Sequence, residues 1–206
     1  MTGRGAFLAA LLAAGVVPGV ARAEYHPPGQ DADWPCMQIK VPELSVASFW
    51  TGPAIDPYRS TWSKDPAIAD LVDRLSQRRT SMEAATAAID ALAKQAGPDR
   101  QAKLLALMAG LYDTLNQERA SVLVGLDRFG RRQKELAQQL RTEAASLGPL
   151  PNPSEAAHVS DKQRQLEWDM QVFQDRRQLL SYACDVPNTI ERRLFALARA
   201  IQQHLS

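Results

Sequence analysis

Residues 99–147 read DRQAKLLALMAGLYDTLNQERASVLVGLDRFGRRQKELAQQLRTEAASL, a stretch without proline that is long enough to decide the fold. Apolar side chains recur in it every seven residues, at Met108, Leu115, Val122, Phe129 and Leu136. The stripe drifts to Leu126, Leu140 and Leu147, as expected for a period of 3.6 residues. Asp99 can cap the start and Gly148-Pro149 ends the pattern. The stretch therefore predicts one amphipathic helix about 70 Å long.

Two further helices flank this stretch. Asp65-Pro66 is an N-cap followed by proline at the first helical position, and Gly97-Pro98 closes the segment. Between them, the seven-residue spacing is kept by Ile68, Leu75, Met82, Ile89 and Ala96. After the linker 149–153 it is kept by Leu166, Phe173, Leu180, Leu194 and Ile201. Because this last stripe stays in phase across Pro187, we expect a kink or a one-turn break there and no change of direction. The prediction is an all-α, elongated, antiparallel bundle of three long helices.

The N-terminus has the features of an export signal. Arg4 precedes an apolar stretch from Ala6 to Val20, and Ala21-Arg22-Ala23 matches a small-residue cleavage site. The stretch is shorter than the ~20 apolar residues of a membrane span, so no stable membrane insertion is expected after cleavage. Residues 1–23 are thus interpreted as a Sec-type signal peptide cleaved after Ala23. Together with only two cysteines, this indicates the bacterial periplasm.

The mature chain carries almost no net charge. Residues 1–23 contain Arg4 and Arg22 and no acidic residue, so the 24 basic and 23 acidic residues become 22 and 23, a net charge of −1. This balance does not favour nucleic-acid binding. The mature chain is of a length that fits one domain. We divide it into an arm, residues 24–63, and a helical bundle, residues 64–206.

The arm is rich in proline and aromatic residues. Six prolines in residues 24–63 prevent a long helix, so an extended arm packed on the bundle is predicted, with a helical turn near Ser45 to Trp50. Its candidate contact residues are Trp34, Phe49, Trp50 and Trp62. These rings suit the recognition of a partner chain. They equally suit a fourth wall of the bundle core, and the sequence leaves both interpretations open.

The two cysteines predict a disulfide. Cys36 lies in the arm and Cys184 in the third helix, and paired thiols in an oxidising compartment close a bridge. Neither belongs to a C-x-x-C motif, which favours a structural bond over a redox site. The bond would pin the arm against the middle of the bundle.

Polar residues interrupt the apolar stripes at matching positions. Arg78 and Glu118 lie on opposite sides of Pro98 and at equal sequence distance from it, so the two face each other in an antiparallel hairpin. We predict a buried ion pair, which can simply fix the register of the helices. With Arg177, the same residues would form an interior polar cluster suited to a small anionic ligand.

Other chemistry is not indicated. The three histidines, His26, His158 and His204, have no metal-ligand spacing with one another or with cysteine. No G-x-S-x-G motif and no phosphate-binding glycine loop occurs. We therefore expect no cofactor, no metal and no enzymatic activity.

These observations favour a secreted, non-enzymatic helical protein that binds another periplasmic protein as an accessory subunit. One alternative is a bundle that binds a small anionic ligand. Another is an ATP-independent periplasmic chaperone, because the Gln/Arg-rich helical composition is similar to that of small periplasmic chaperones, although the Leu-Thr-x-x-Gln repeats of the Spy-like group are absent. A homodimer through a heptad-like face is also open.

Overall fold

The computed structural model describes residues 33–147 and 153–205, with side chains from 161 onward in the second range. The predicted signal peptide and its cleavage site lie outside these residues. The described chain is all-helical and contains no strand. Its α-helices are α1 (Asp56–Arg59), α2 (Pro66–Ser76), α3 (Met82–Gln95), α4 (Arg100–Ser146) and α5 (Pro153–Gln202). Short 3₁₀ turns occupy Val46–Ser48, Trp62–Lys64 and Gly97–Asp99.

The long helices α4 and α5 pack against each other in antiparallel directions. Arg119 of α4 lies beside Glu191 of α5, and Cys184 lies nearer the connection between the two helices. The prediction of a long helix in residues 99–147 is confirmed by α4. Helix α5 continues through Pro187 as one helix, so of the two alternatives predicted there the one-turn break is wrong.

The prediction of one helix from Asp65 to Ala96 is wrong. Residues 77–81 separate α2 from α3, although the spacing from Leu75 to Met82 keeps the seven-residue phase. Ser81 caps α3, and its hydroxyl accepts a hydrogen bond from the Ala84 amide. At the other side of the break, Arg193 of α5 donates from Nε to the Leu75 carbonyl at 2.8 Å. These partners satisfy backbone groups that a helix end leaves open, so the break costs little.

The main core lies where α2 and α3 cover α4 and the C-terminal third of α5. Leucines and isoleucines from each of these helices are fully buried there. Phe49 from the N-terminal segment enters this core, with its ring centroid 5.8 Å from Tyr112 and 5.6 Å from Phe195. The N-terminal segment, defined here as residues 33–55, is therefore part of the core as well as a covering of it.

A second, small core lies farther along α4. Trp34 and Cys36 pack on Leu123 and Leu126, with Leu180 of α5 at the edge. Cys36 is bonded to Cys184, which confirms the predicted disulfide, and their Cα atoms are 5.7 Å apart. The contact is close enough that a Cβ atom on Gly130 would lie 2.0 Å from the Asp33 carbonyl oxygen. Glycine at this position lets the segment cross the helix.

Beyond this small core, α4 and α5 continue as a two-helix hairpin. We call residues 127–146 of α4 and 161–182 of α5 the distal hairpin. Within these residues only Gly130, Leu140 and Leu166 are buried. The hairpin has no α2 or α3 beside it, so most of its surface faces solvent.

Candidate functional site

The predicted partner-binding rings of the N-terminal segment are mostly buried. Trp34, Phe49 and Trp50 belong to the two cores, and Trp62 is half-buried with its Nε1 donating to Asp113 at 3.2 Å. Trp34 and Trp50 donate their indole N–H groups to the carbonyls of Gln38 and Pro53. With both the ring face and the N–H engaged, these side chains act as a wall of the core, the second of the two interpretations from the sequence.

The stretch from Cys36 to Val41 alternates between anchors and exposed side chains. The even-numbered residues hold the helices: Cys36 through the disulfide, Gln38 through the Cys184 carbonyl, and Lys40 through Asp127 at 2.6 Å. The odd-numbered residues are apolar and point to solvent. The exposed fractions of Met37, Ile39 and Val41 are 98, 71 and 44%. We call these three side chains the exposed triad.

The backbone at the C-terminal end of the triad is fixed by a buried arginine. Arg119 is 4% exposed in its side chain and donates from Nε to Glu191 at 2.6 Å. Its NH1 donates to the Val41 carbonyl, also at 2.6 Å. A single guanidinium therefore joins α4, α5 and the N-terminal segment, as the rigid fork of arginine allows.

Tyr112 holds the next turn of the same segment. Its hydroxyl donates to the Leu44 carbonyl at 2.8 Å, and the Leu44 amide donates to Asn116 at 3.3 Å. Burial raises the pKa of the Tyr112 hydroxyl above its ordinary value, and the charge of Glu43 adds to the rise. The hydroxyl therefore stays protonated and keeps this hydrogen bond at neutral pH.

The predicted pair of Arg78 and Glu118 is present but lies at the surface. Its NH2 and Oε1 atoms are 3.1 Å apart, and the two side chains are 53 and 37% exposed. The expectation of a buried pair is wrong because the break between α2 and α3 carries Arg78 onto a surface loop. Arg177 does not join them. It is exposed, and it lies about 24 Å along α5 from Arg193, the α5 residue that contacts the loop carrying Arg78.

An open depression of about 500 Å³ lies beside that pair. It is lined by Ser76, Gln77, Arg78, Arg79 and Glu118. Arg193, which holds the adjoining loop through the Leu75 and Thr80 carbonyls, is the arginine that α5 contributes at this level. Burial lowers the pKa of its guanidinium and the charge of Glu118 opposes that shift, so arginine here stays charged. The lining of the depression therefore carries two guanidinium groups, Arg78 and Arg79, and one carboxylate, Glu118.

An apolar stripe on the outer side of α5 was not among the surfaces predicted from the sequence. Trp168, Leu179 and Tyr182 are 66, 64 and 77% exposed. The sequence contains a pattern that could have predicted this stripe. Together with Val172, these residues recur at helical spacing, and they do not belong to the stripe formed by Leu166, Phe173 and Leu180. An apolar side of a helix that remains in solvent often marks an interaction surface.

Among the described residues, no three His, Cys, Asp or Glu side chains lie close enough together to bind a metal ion. His204 is paired with Asp90, Nε2 to Oδ1 at 2.7 Å, and both cysteines are in the disulfide. None of the helices in the described part of the chain has the length and apolar character required to cross a membrane.

Comparisons with protein-family models, with curated proteins and with solved structures find no match to this chain.

Proposed function

We propose that the protein is an exported, non-enzymatic accessory subunit that binds another protein through the exposed triad, Met37, Ile39 and Val41. The observation that carries the proposal is the alternation described above. Met37, Ile39 and Val41 are apolar and solvent-exposed, and they alternate with residues that are bonded to α4 and α5. Evenly distributed apolar side chains are ordinary on a surface, but an adjacent set on an anchored backbone is typical of a recognition surface.

The anchoring favours binding because it reduces the entropy lost on association. A flexible peptide must be ordered when it binds, which costs free energy for each immobilised residue. The disulfide at Cys36, the Lys40–Asp127 pair and the Arg119 contact hold this stretch before any partner arrives. A partner that offers an apolar groove therefore gains the burial of the three side chains with little ordering cost.

The compartment is the periplasm in this proposal, with residues 1–23 as the signal peptide. The disulfide fits a secreted protein, because such bonds persist in oxidising compartments and are rare in the cytosol. An accessory role also agrees with the neutral net charge and with the absence of a catalytic motif in the sequence.

The test is capture of the mature protein from its own periplasm after mild cross-linking. The informative variant is the double substitution Met37→Ser and Ile39→Ser, which keeps every anchor of the segment. Val124→Ser is the matched control, because Val124 is also apolar and 53% exposed but belongs to α4. We expect one protein at near-equal amount with the wild type and with the control, and its loss with the double variant.

Two results would contradict the proposal. Capture of the same partner by the double variant would show that the triad is not the contact surface. A heterogeneous set of unfolded proteins, bound equally by all three forms, would instead support the ATP-independent periplasmic chaperone. Circular dichroism of the double variant should match the wild type, since both substituted side chains are mostly exposed.

A second candidate function is the binding of a small anionic ligand at the depression beside Arg78. The observation in its favour is the pairing of two arginines, Arg78 and Arg79, at the rim of one open space. Inorganic phosphate and a dicarboxylate are the probes, measured by calorimetry at low ionic strength. Binding that Arg79→Ala removes, and that Arg100→Ala on the exposed start of α4 leaves intact, would support this function. No heat with either probe would exclude it in favour of the protein-binding role.

A further inference from the structure

The outer side of α5 carries a regular seam that the described chain leaves open. We call it the outer seam; its members are Gln165, Trp168, Val172, Asp175, Leu179 and Tyr182. They are spaced alternately by three and four residues, the spacing of a heptad seam. Three of the four apolar members are among the most exposed large apolar side chains in the described part of the chain.

The outer seam is distinct from the contact with α4. Leu166, Phe173 and Leu180 form the inner stripe of α5, and Leu166 is buried. Because a step of two residues turns an α-helix by about 200°, Trp168 and Tyr182 lie roughly opposite Leu166 and Leu180. Helix α5 is thus apolar on two sides, which is expected of a helix with neighbours on both.

We propose that the outer seam is the interface of a homodimer, in which α5 packs against α5 of a second copy in the antiparallel direction. A two-fold axis that passes between residues 173 and 174 places every seam residue opposite another seam residue of the second copy. Trp168 then faces Leu179 of the second copy, and Tyr182 faces Gln165 of the second copy. Val172 faces Asp175 of the second copy, so the two Asp175 carboxylates lie in different layers and do not face each other.

Charges beside the seam are complementary in this same register. On one flank, Asp169 comes opposite Arg176 of the second copy. On the other flank, Arg164 comes opposite Asp185 of the second copy. The symmetry doubles each contact, so four opposite-charge pairs border the seam. Complementary flanking charges of this kind set partner and orientation in coiled coils.

The parallel arrangement is disfavoured by the same residues. In a parallel pair each seam residue faces its own copy, so Asp175 would meet Asp175 at the centre of the apolar contact. Two carboxylates brought together out of water repel each other and lose hydration. Asp175 therefore favours the antiparallel dimer over the parallel one, at a cost in affinity.

The size of the contact suits a reversible dimer. From Gln165 to Tyr182 the seam is about 26 Å long, and its two wholly apolar layers are the symmetry-related contacts of Trp168 with Leu179. The contact involves a surface other than the exposed triad, so its presence does not depend on the partner protein proposed above.

Sedimentation velocity of the oxidised mature protein tests the dimer over a range of concentrations up to about 100 μM, since specific interfaces reach micromolar affinity or better. We expect a concentration-dependent dimer. Trp168→Ala should weaken it about tenfold or more, because tryptophan is a typical hot-spot residue and the symmetry places two copies of it in the contact. Met170→Ala is the matched control, since Met170 is 46% exposed on the same helix but lies outside the seam.

Charge reversal gives the sharper test. Asp169→Arg places an arginine opposite Arg176 of the second copy and should abolish the dimer at concentrations where the wild type associates. Adding Arg176→Asp restores opposite charges and should restore the dimer. Asp175→Leu should strengthen it, because an apolar residue replaces the carboxylate in the seam. A wild-type monomer at every concentration would overturn the proposal, as would a dimer indifferent to Trp168→Ala or to Asp169→Arg.

Discussion

The two ends of the α4–α5 pair differ in burial although their apolar residues have similar spacing. At the end that α2 and α3 cover, Leu107, Leu194 and Leu197 are fully buried. In the distal hairpin, buried side chains are sparse and Leu140 retains 8% exposure. The difference teaches that the heptad pattern of a helix predicts which side is apolar. The number of neighbouring elements decides how much of that side is withdrawn from water.

Loss of the disulfide is expected to have the largest effect on stability, because this bond fastens the N-terminal segment to the helices between the main core and the distal hairpin. Its loss in Cys36→Ser with Cys184→Ser should reduce the free energy of unfolding by up to roughly 4–5 kcal/mol, the chain-entropy value for a loop of this length. Hydrogen exchange should rise in residues 33–44 and in the distal hairpin, while the amides around Leu194 stay protected. Equal loss of protection at both ends would contradict the division into a core and a hairpin.

Truncation of one leucine at each end measures the difference in packing directly. Leu197→Ala should cost about 2–5 kcal/mol, because a large cavity forms inside the main core. Leu140→Ala should cost clearly less, since the two-helix contact can collapse around the missing side chain and water already reaches it. The measurement is urea denaturation followed by circular dichroism. Similar losses for both variants would show that the hairpin is packed as tightly as the core.

The two arginine–glutamate pairs provide a second matched comparison. Arg119→Ala should cost about 3 kcal/mol, because it leaves the Val41 carbonyl and Glu191 without their partner. Arg78→Ala should cost less than about 1 kcal/mol, because the pair with Glu118 is exposed and screened. Both values come from denaturation midpoints at equal m-value. A costly Arg78→Ala would contradict the surface position of that pair.

Substitution of two glycines of α4 should give effects of opposite sign. Gly130→Ala should destabilise by about 1–3 kcal/mol, because the new methyl group would collide with the Asp33 backbone. Gly125→Ala meets nothing within 4 Å and should stabilise the helix by up to about 1 kcal/mol. Thermal unfolding distinguishes the two. A neutral Gly130→Ala would mean that the N-terminal segment does not rest against α4.

Local patterns were sufficient for the long helices and the disulfide. An uninterrupted stripe predicted α4, and an unbroken phase across Pro187 predicted that α5 keeps its direction. The break at residues 77–81 escaped prediction because Leu75 and Met82 keep the phase on both sides. What stabilises the break is Arg193 near the other end of the chain, and no local pattern contains such a contact.

The candidate surfaces were harder to predict for the same physical reason. The tryptophans of the N-terminal segment looked equally suited to a core and to a partner, and only their contacts with α4 decide between these. In the sequence, nothing distinguishes Met37, Ile39 and Val41 from other apolar residues. Their outward direction follows from the contacts of Gln38 with α5 and of Lys40 with α4. Trp168 and Tyr182 were recognisable in principle, as apolar residues off the main stripe of α5.

The most direct measurement is site-specific photo-cross-linking in the protein's own cells, with a photoreactive residue replacing Ile39 in the otherwise unchanged chain. A parallel chain carries it at Lys94, an exposed position at the end of α3. If the exposed triad is a recognition surface, one dominant protein is cross-linked at position 39 and is absent at position 94. Equal or no cross-linking at the two positions would contradict the proposed protein-binding function.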